Sequence, residues 1–439
     1  MVLSKKFIPS SRNPARSLAS SASRNRKVIT KEKKKGFVYS IENAEVTIYP
    51  GKTAKRAPGH GNSKGHKTGQ GSSPLPPIDP LVLVQQVADL LGQESYLSIS
   101  FENIPHQIFE GILRDESRTI HSKRTQTARS EAFTLLGLLP KGMILSQVIA
   151  EFELSQRVAL SDPKGERVYV LDSVPVDHPY VRTELVGAIS DALRRQESVR
   201  NPILQNQASS DNEDTRRARE ALTLGIRKVI KRRYARNLGI SPSIPPPKEF
   251  ARRIEPLPGT SLLNRWHSLP EDVGPYFVNF HVGPTGPIKD MKPLSNRPPT
   301  TTMEFFRPLW HQDPALWLND PVPEDFADQL ISFPPDLTDV LGAGGLMPFL
   351  ASKNSGHVVM TVSGQWAGDR WAIWKFPDDS AALLLETRWQ DETSALEFCL
   401  VIPAHPFQWF FPHEEGTNKV RMIRATSTAA LNRLIPTKP

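Results

Sequence analysis

The first 77 residues contain too few apolar side chains to form a hydrophobic core, and this determines where a fold can begin. They are rich in Ser, Arg, Lys and Gly, in stretches such as SSRNPARSLASSASRNRK and KEKKK. A chain of this kind cannot bury enough apolar surface to offset the entropy lost on ordering. We therefore predict a mostly disordered tail over residues 1–77, in which FVYSI and VTIY are weak strand candidates.

Charge divides the chain at nearly the same place. Residues 1–70 hold 16 Lys or Arg against three Glu, a net charge of +13, whereas the remaining residues carry a net charge of −4. A basic tail on a mildly acidic body favours a polyanion or an acidic protein as partner, and Lys33, Lys34 and Lys35 are candidate binding residues. The acid-free, Ser- and Arg-rich first 31 residues are also typical of a mitochondrial transit peptide, so mitochondrial targeting is the alternative if the chain is eukaryotic.

The cysteine content and the apolar runs limit the kind of site and the compartment. A single cysteine, Cys399, excludes an intramolecular disulfide and a Cys-based zinc or iron–sulfur site. The sequence has no apolar run of the roughly 18 to 20 residues that a membrane helix needs, and no hydrophobic region of a secretory signal at its start. We therefore expect an intracellular, cytoplasmic protein without a transmembrane segment, and the oligomeric state stays open.

From Asp79 onward the hydrophobic pattern predicts a folded α+β body. DPLVLVQQVADLLG, SEAFTLLGLLP and LSQVIAEFELSQ have apolar residues at helical spacing. A β-hairpin is expected from Arg157–Leu160 and Arg167–Leu171, because the turn sequence DPKG separates two alternating runs. Two further helices are predicted from about Tyr180 to Gln196 and from about Glu213 to Arg236.

Proline separates this helical body from a C-terminal region. The chain holds 40 prolines, nearly twice the roughly 5% of average chains, and the run ISPSIPPPKEF predicts a stiff, extended linker. Beyond it we predict a turn at Gly342–Gly345, a helix at Asp391–Phe398, and strands at His357–Val362, Arg370–Phe376, Ala382–Thr387 and Val420–Ala425. The predicted regions are therefore a tail (1–77), a helical body (78–258) and a C-terminal α+β region (259–439).

A series of motifs between Glu131 and Gln196 carries a family resemblance. LLGLLPKG, ALSDPKGERVYVLD and TELVGAISDALRRQ follow one another in this order. The order resembles a family of largely uncharacterised bacterial HExxH zinc-metallopeptidase-like (gluzincin-type) proteins, in which an LGLLP helix leads to a YDPKTKTLYVLD hairpin and then to a helix with HELxHALQDQ. Similar segments, which extend the resemblance over about residues 80–400, are EALTLGI, RPPTTTMEFFRPLWHQDPALWL and AGDRWAIWKFPDDSAALLLETRWQDETSALEF.

The resemblance implies a zincin-like body that has lost its zinc ligands. In an HExxH helix, two His one turn apart bind Zn²⁺, the Glu activates the metal-bound water, and a carboxylate from a second helix completes the site. The matched positions are Thr183 for the first His, Glu184 for the base, Gly187 for the second His and Leu224 for the third ligand. Only Glu184 keeps the residue type of the family, so we predict no metal, no cofactor and no peptidase activity at this site.

Glu184 also has a simpler interpretation, as an ordinary carboxylate on a helix face that is paired with Arg182 or Arg194. A relocated metal site has little support in the sequence, because no His lies at HExxH spacing.

A second group of cations lies at the end of the helix predicted at Glu213–Arg236. It comprises Lys228, Lys231, Arg232, Arg233 and Arg236. Such residues either stabilise the carboxyl end of their own helix or contact phosphate groups. Because no nucleic-acid recognition motif accompanies them, any such binding is expected to be weakly sequence-specific.

These observations favour a non-catalytic pseudoenzyme that acts as a structural or interaction protein, with the basic tail in contact with an acidic partner. The first alternative is a nucleic-acid-binding or ribosome-associated protein. The second alternative is a metallopeptidase with a rebuilt active site.

Overall fold

The computed structural model describes residues 38–42, 45–49, 75, 77–93, 98–119, 123–200, 212–241, 257–285, 288, 294, 297–316, 319–328, 331–411 and 415–435. For residues 38–42 and 45–49 the description covers the backbone alone. The chain forms two compact units, residues 1–66 and residues 67–439. Each unit is described separately.

In the first unit, two strands form an antiparallel pair. Strand β1 (Val38–Glu42) and strand β2 (Glu45–Tyr49) pair with Val38 opposite Tyr49. They lie at the two short apolar alternations of the sequence. Most of the predicted tail, including Lys33, Lys34 and Lys35, lies outside the described residues.

The second unit is of the α+β class, which confirms the predicted fold class. Its helices are α1 (Pro80–Leu91), α2 (His106–Thr119), α3 (Lys123–Leu135), α4 (Leu145–Gln156), α5 (Pro179–Arg200), α6 (Glu213–Asn237), α7 (Ser261–Val282), α8 (Met303–Phe306), α9 (Pro308–Gln312), α10 (Gly342–Ala351), α11 (Gly356–Ser363), α12 (Glu392–Val401) and α13 (Thr428–Leu434). Its strands are β3 (Ser100–Ile104), β4 (Ala159–Ser161), β5 (Arg167–Leu171), β6 (Leu337–Asp339), β7 (Trp366–Lys375), β8 (Ala381–Trp389), β9 (Gln408–Phe410) and β10 (Lys419–Ala425).

Local sequence signals account for both ends of helix α1. The Asp79 carboxylate accepts a hydrogen bond of 2.8 Å from the backbone N–H of Leu81, and Pro80 follows it at the first helical position, which suits the start of α1. Gly92 ends the same helix in the left-handed conformation. The predicted hairpin forms from the antiparallel strands β4 and β5. The predicted helices at 145–156, 180–196 and 213–236 correspond to α4, α5 and α6.

Two sheets organise the second unit. The smaller sheet has the order β3-β5-β4, with β3 parallel to β5. The larger sheet has the order β6-β7-β8-β10-β9, and its neighbouring strands are antiparallel. Along β7, Trp371 and Ile373 belong to one hydrophobic cluster whereas Ala372 and Trp374 belong to another, so both faces of this sheet are covered.

The predicted boundary at 258/259 does not divide the protein into two cores. Helix α7, which follows the boundary, packs closely along α6, which precedes it. A Cβ atom added to Gly225 of α6 would lie 2.4 Å from the carbonyl carbon of Gly274 in α7, so two glycines allow this close approach. One hydrophobic cluster joins Ile226 to Phe277, and a second joins Phe133 to Trp266. Elements on the two sides of the predicted boundary therefore share hydrophobic clusters, while residues 242–256, which include most of the predicted Pro-rich linker, lie outside the described residues.

Two local predictions in the C-terminal region were also wrong. The β-branched run His357–Val362 forms helix α11 rather than a strand, and its buried residues Val359, Val362 and Ser363 lie at helical spacing. Gly342–Gly345 begins helix α10 rather than forming an isolated turn. In both cases tertiary burial outweighs local propensity. Strand β3 and helices α2 and α7 were not predicted, and α7 contains Pro270 and Pro275, which usually signal a break.

No helix among the described residues is both long and apolar enough to cross a membrane.

Candidate functional site

Helices α5 and α6 pack side by side and place the predicted base position between them. Helix α5 directs Val181, Leu185 and Ile189 into a hydrophobic cluster. Glu184 is buried on the same helix and lines a cavity of about 220 Å³ together with Leu224 of α6. We call this space the Glu184 cavity.

Two cations of α6 hold the Glu184 carboxylate. Arg227 Nη2 donates a hydrogen bond of 2.8 Å to Glu184 Oε2, and Lys231 Nζ donates to Oε1. Arg227 Nη1 also donates to Asp191 Oδ2 at 3.2 Å, so one guanidinium bridges two carboxylates of α5. The Glu184 and Arg227 side chains are each 7% exposed.

This pairing determines the protonation state of Glu184. Burial by itself raises the pKa of the carboxyl group, but Lys231 and Arg227 outweigh burial and lower the pKa below its ordinary value. Glu184 is therefore an ionised carboxylate whose two oxygens are both engaged. Such a group is a weak general base, because each proton it accepts disrupts two ion pairs.

The other matched positions offer no zinc ligand. The Thr183 hydroxyl donates to the carbonyl of Tyr180 in its own helix, at 2.8 Å. A Cβ atom on Gly187 would lie 2.6 Å from Arg227 Nε, so the arginine occupies the space that a side chain would need there. Leu224 brings an apolar side chain to the cavity. The residues present do not fit a zinc ion, and two cationic side chains lie beside the carboxylate instead.

The structure corrects the predicted partners of Glu184. They are Arg227 and Lys231, not Arg182 or Arg194. Arg194 instead donates to the carbonyl of Thr223, at 3.4 Å. The sequence did carry a signal for the true partners, because Leu224, Arg227 and Lys231 lie three and four residues apart and so share one face of a helix.

A second group of polar residues was missed by the sequence analysis. Glu153 of α4, Glu220 of α6 and His267 of α7 place potential ligand atoms within 4.8 Å of one another. His267 Nε2 lies 2.5 Å from Glu153 Oε1. The three residues come from three helices that are distant in sequence, so no motif spacing could reveal them.

Arginines neutralise both carboxylates of this group. Arg157 forms an ion pair with Glu153, and Arg217 Nη1 donates to Glu220 Oε2 at 2.6 Å. Burial alone would raise the pKa of Glu153, but Arg157 and His267 outweigh it and lower the pKa to about 2. The carboxylates are therefore ionised but already paired, which weakens their attraction for a divalent cation.

A second cavity, of about 170 Å³, lies against this group. It shares Glu153, Arg157 and His267 with the Glu184 cavity. We call it the arginine cavity, because its lining includes Arg129, Arg157, Arg216 and Arg217. Two cavities thus adjoin one another along helix α6.

The predicted polyanion-binding residues of α6 do not form one exposed face. Arg232 and Arg236 are exposed, but Arg233 is buried and donates to the carbonyl of Gly283 at 2.7 Å. Lys228 lies 3.8 Å from a carboxylate oxygen of Glu271, and Lys231 is bound to Glu184. Phosphate contact at this helix stays a prediction, and it depends on Arg232 and Arg236.

Comparisons of the chain with protein-family models, with curated proteins and with solved structures gave no match, so the resemblance to HExxH enzymes continues to depend on the sequence motifs alone.

Proposed function

We propose that this chain is a non-catalytic relative of HExxH zinc metallopeptidases that acts as a structural or interaction protein. The observation that carries the proposal is the pairing of Glu184 with Arg227 and Lys231 at the place where the resemblance puts zinc. A metal-dependent hydrolase needs an ion that lowers the pKa of a bound water. Here two cationic side chains balance the carboxylate, and neither can activate water in that way.

A metal measurement on the purified full-length protein tests the loss of zinc binding. We expect far less than one zinc per chain, and no chelator-sensitive peptidase activity. Stoichiometric zinc that remains bound through dialysis would contradict the proposal.

A restoration experiment tests the ancestry separately. The variant combines Thr183→His, Gly187→His and Leu224→Glu with Arg227→Ala and Lys231→Ala, which removes the two cations. If the matched positions are homologous to zinc ligands, this variant gains zinc, whereas the matched control with only Arg227→Ala and Lys231→Ala does not. Equal zinc in the two variants would contradict the ancestry.

The basic tail supplies the contact to the partner in this proposal. Its net charge of +13 over residues 1–70 supports an acidic protein or another polyanion as partner. Replacing Lys33, Lys34 and Lys35 with Glu in the full-length chain is expected to weaken capture of the partner from a native lysate. Capture that is lost after nuclease treatment, and that falls steeply with salt, would favour the nucleic-acid-binding or ribosome-associated alternative instead.

The single cysteine, Cys399, supports an intracellular location.

A metallopeptidase with a rebuilt active site is the second candidate, and one observation favours it. Glu153, Glu220 and His267 are of the residue types that bind zinc, and their ligand atoms lie close together. The candidate ranks second because Arg157 and Arg217 already neutralise both carboxylates. Zinc bound by the native chain together with chelator-sensitive peptide cleavage, both lost in His267→Ala, would establish it.

A further inference from the structure

The lining of the arginine cavity combines cationic and apolar residues. Arg157, Arg216 and Arg217 are cationic, whereas Leu145, Ile149 and Trp266 are apolar. The Arg217 guanidinium lies over the Trp266 ring, 4.1 Å from the ring centroid, so the two kinds of residue meet there. A cavity with an apolar lining and a few polar groups on one side is typical of a site for a small ligand that is polar at one end.

Two arginines in this lining have hydrogen-bond donors without an acceptor among the described residues. Arg216 is held by Glu213 through Nε, at 3.0 Å, and through Nη2, at 2.5 Å. Its Nη1 lies 3.7 Å from Glu220 Oε2, which is too far for a hydrogen bond. Arg157 contacts Glu153 through Nε. Within the described part of the chain, neither Nη1 nor Nη2 of Arg157 has an acceptor, so both guanidinium groups can donate to a ligand oxygen.

Arg157 and Arg216 are also accessible. Their side chains are 20% and 30% exposed, whereas those of Arg129 and Arg217 are each 4% exposed. The open donors therefore lie on the residues that solvent and a ligand can reach.

Cations outnumber carboxylates in the lining itself. The four arginines face two carboxylates in the same lining, those of Glu153 and Glu220. Glu213 pairs with Arg129 and Arg216 from outside the lining. Burial alone would lower the pKa of Arg216, but Glu213 and Glu220 outweigh burial and raise the pKa above its ordinary value, so Arg216 is a cation at pH 7 and can attract an anion.

We propose that the arginine cavity binds a small organic anion, with its carboxylate at Arg157 and Arg216 and a short apolar chain against Ile149 and Trp266. A carboxylate offers two coplanar oxygens that match the paired N–H groups of a guanidinium. The four guanidinium groups disfavour a divalent cation in the same space. This inference goes beyond the proposed function, because it concerns other residues and does not depend on the loss of zinc ligands.

Calorimetric titration of the full-length protein with hexanoate at pH 7 tests the site. We expect saturable binding of one hexanoate per chain. Hexanol has the same chain length without charge, and inorganic phosphate has charge without a chain. Each should bind at least about tenfold more weakly, because hexanol lacks the contact with the arginines and phosphate lacks the apolar contact. Absence of hexanoate binding, or hexanol or phosphate binding as tightly as hexanoate, would overturn the proposal.

Variants locate the binding. Arg157→Gln and Arg216→Gln should each weaken hexanoate binding about tenfold or more, because each removes a charged hydrogen-bond donor. Ile149→Glu should also weaken hexanoate binding, because it places a negative charge among the apolar residues of the lining. Arg433→Gln is the matched control, because Arg433 pairs with Asp378 and lies outside the lining. The hexanoate affinity of this control variant should equal that of the native protein.

Two further measurements keep the result interpretable. Thermal unfolding of each variant shows whether it is folded. The triple variant Lys33→Glu, Lys34→Glu and Lys35→Glu tests binding by the tail, and an unchanged hexanoate affinity excludes it. Hexanoate affinity that is equal in Arg157→Gln, Arg216→Gln and the native protein would place the ligand elsewhere. Zinc or manganese binding that His267→Ala abolishes, without hexanoate binding, would assign the space to a metal and would also overturn the proposal.

Discussion

The two cavities along helix α6 use charged residues in opposite ways. At the Glu184 cavity, Arg227 pairs with both Glu184 and Asp191, Lys231 pairs with Glu184, and both oxygens of Glu184 are occupied. In the arginine cavity, Arg157 and Arg216 keep N–H groups without an acceptor in the described part of the chain. The Glu184 carboxylate is therefore fully engaged within the protein, whereas the two arginines have donors that a ligand can use.

This difference separates structural charge from binding charge. Buried ions that satisfy one another fix how two helices pack, and breaking such a pair is costly. Partly exposed cations with free donors contribute little to stability, but they can bind an anion. On our proposals, one helix therefore carries the remains of a lost metal site on one turn and a ligand site on the turn before it.

The largest expected effect is that of Arg227→Met on stability. The substitution leaves Glu184 with Lys231 alone and leaves Asp191 without its arginine, so we expect a loss of about 3–5 kcal/mol in the free energy of unfolding. Urea denaturation measures the loss. The double variant Glu184→Met with Arg227→Met should lose less than the sum of the single variants, because neither charge is then left alone. A loss below about 1 kcal/mol for Arg227→Met would show that the pair is not structural.

Glu153→Gln tests the wall that the two cavities share. The pKa of Glu153 falls from 4.5 to about 2 on folding, so its ionised form stabilises the protein above pH 4.5, and this contribution is lost as the pH falls toward 2. We expect the free energy of unfolding of the native protein to exceed that of the variant by about 2–3 kcal/mol at pH 7. The difference should shrink below pH 4.5 in denaturation measured across pH.

The exposed Glu151 on the same helix provides the control for this pH experiment. Glu151→Gln should change the free energy of unfolding by less than about 0.5 kcal/mol. If the difference between native protein and Glu153→Gln stays constant down to pH 2, the ion pairs of Glu153 do not account for its contribution.

Gly187→Ala tests whether the Glu184 cavity is filled at the second matched position. A Cβ atom there would approach Arg227 Nε to 2.6 Å, so the arginine must move away from Glu184. We expect the free energy of unfolding to fall by about 1–2 kcal/mol, even though alanine favours a helix. Gly111→Ala in α2 is the matched control, because its added Cβ would meet no atom within 4 Å. That variant should be stabilised by up to about 1 kcal/mol, and equal changes in the two variants would contradict the close packing at Gly187.

The smallest effect on stability is expected for Arg157→Gln in the arginine cavity. Arg157 is partly exposed and pairs with Glu153 four residues earlier on the chain, while Glu153 keeps His267 as a second partner. We expect a loss of about 1 kcal/mol in the free energy of unfolding, smaller than that of Glu153→Gln because His267 still lowers the pKa of Glu153, together with the tenfold loss of hexanoate affinity described above. A stability loss above about 2 kcal/mol would place Arg157 with the structural charges and would remove the contrast between the cavities.

Local patterns predicted the parts of the fold that depend on neighbouring residues. The capping by Asp79, the helical spacing in LSQVIAEFELSQ and the turn of the hairpin each act within a few residues, and α1, α4 and β4–β5 formed as predicted. The prediction of a strand at His357–Val362 failed because the β-branched run favours a strand locally, whereas packing in the second unit buries one face of helix α11. Helix α7 was not predicted, and it contains two prolines, which are unusual within a helix.

The sequence by itself determined the basic tail, the α+β composition and the absence of zinc-binding side chains at Thr183, Gly187 and Leu224, because residue type alone decides charge, pattern and ligand chemistry. Only the tertiary structure decided that Arg227 and Lys231 meet Glu184, and that Glu153, Glu220 and His267 lie together beside the arginine cavity. These contacts join helices that are far apart along the chain. They depend on which faces the helices bury against one another, and no local spacing specifies that.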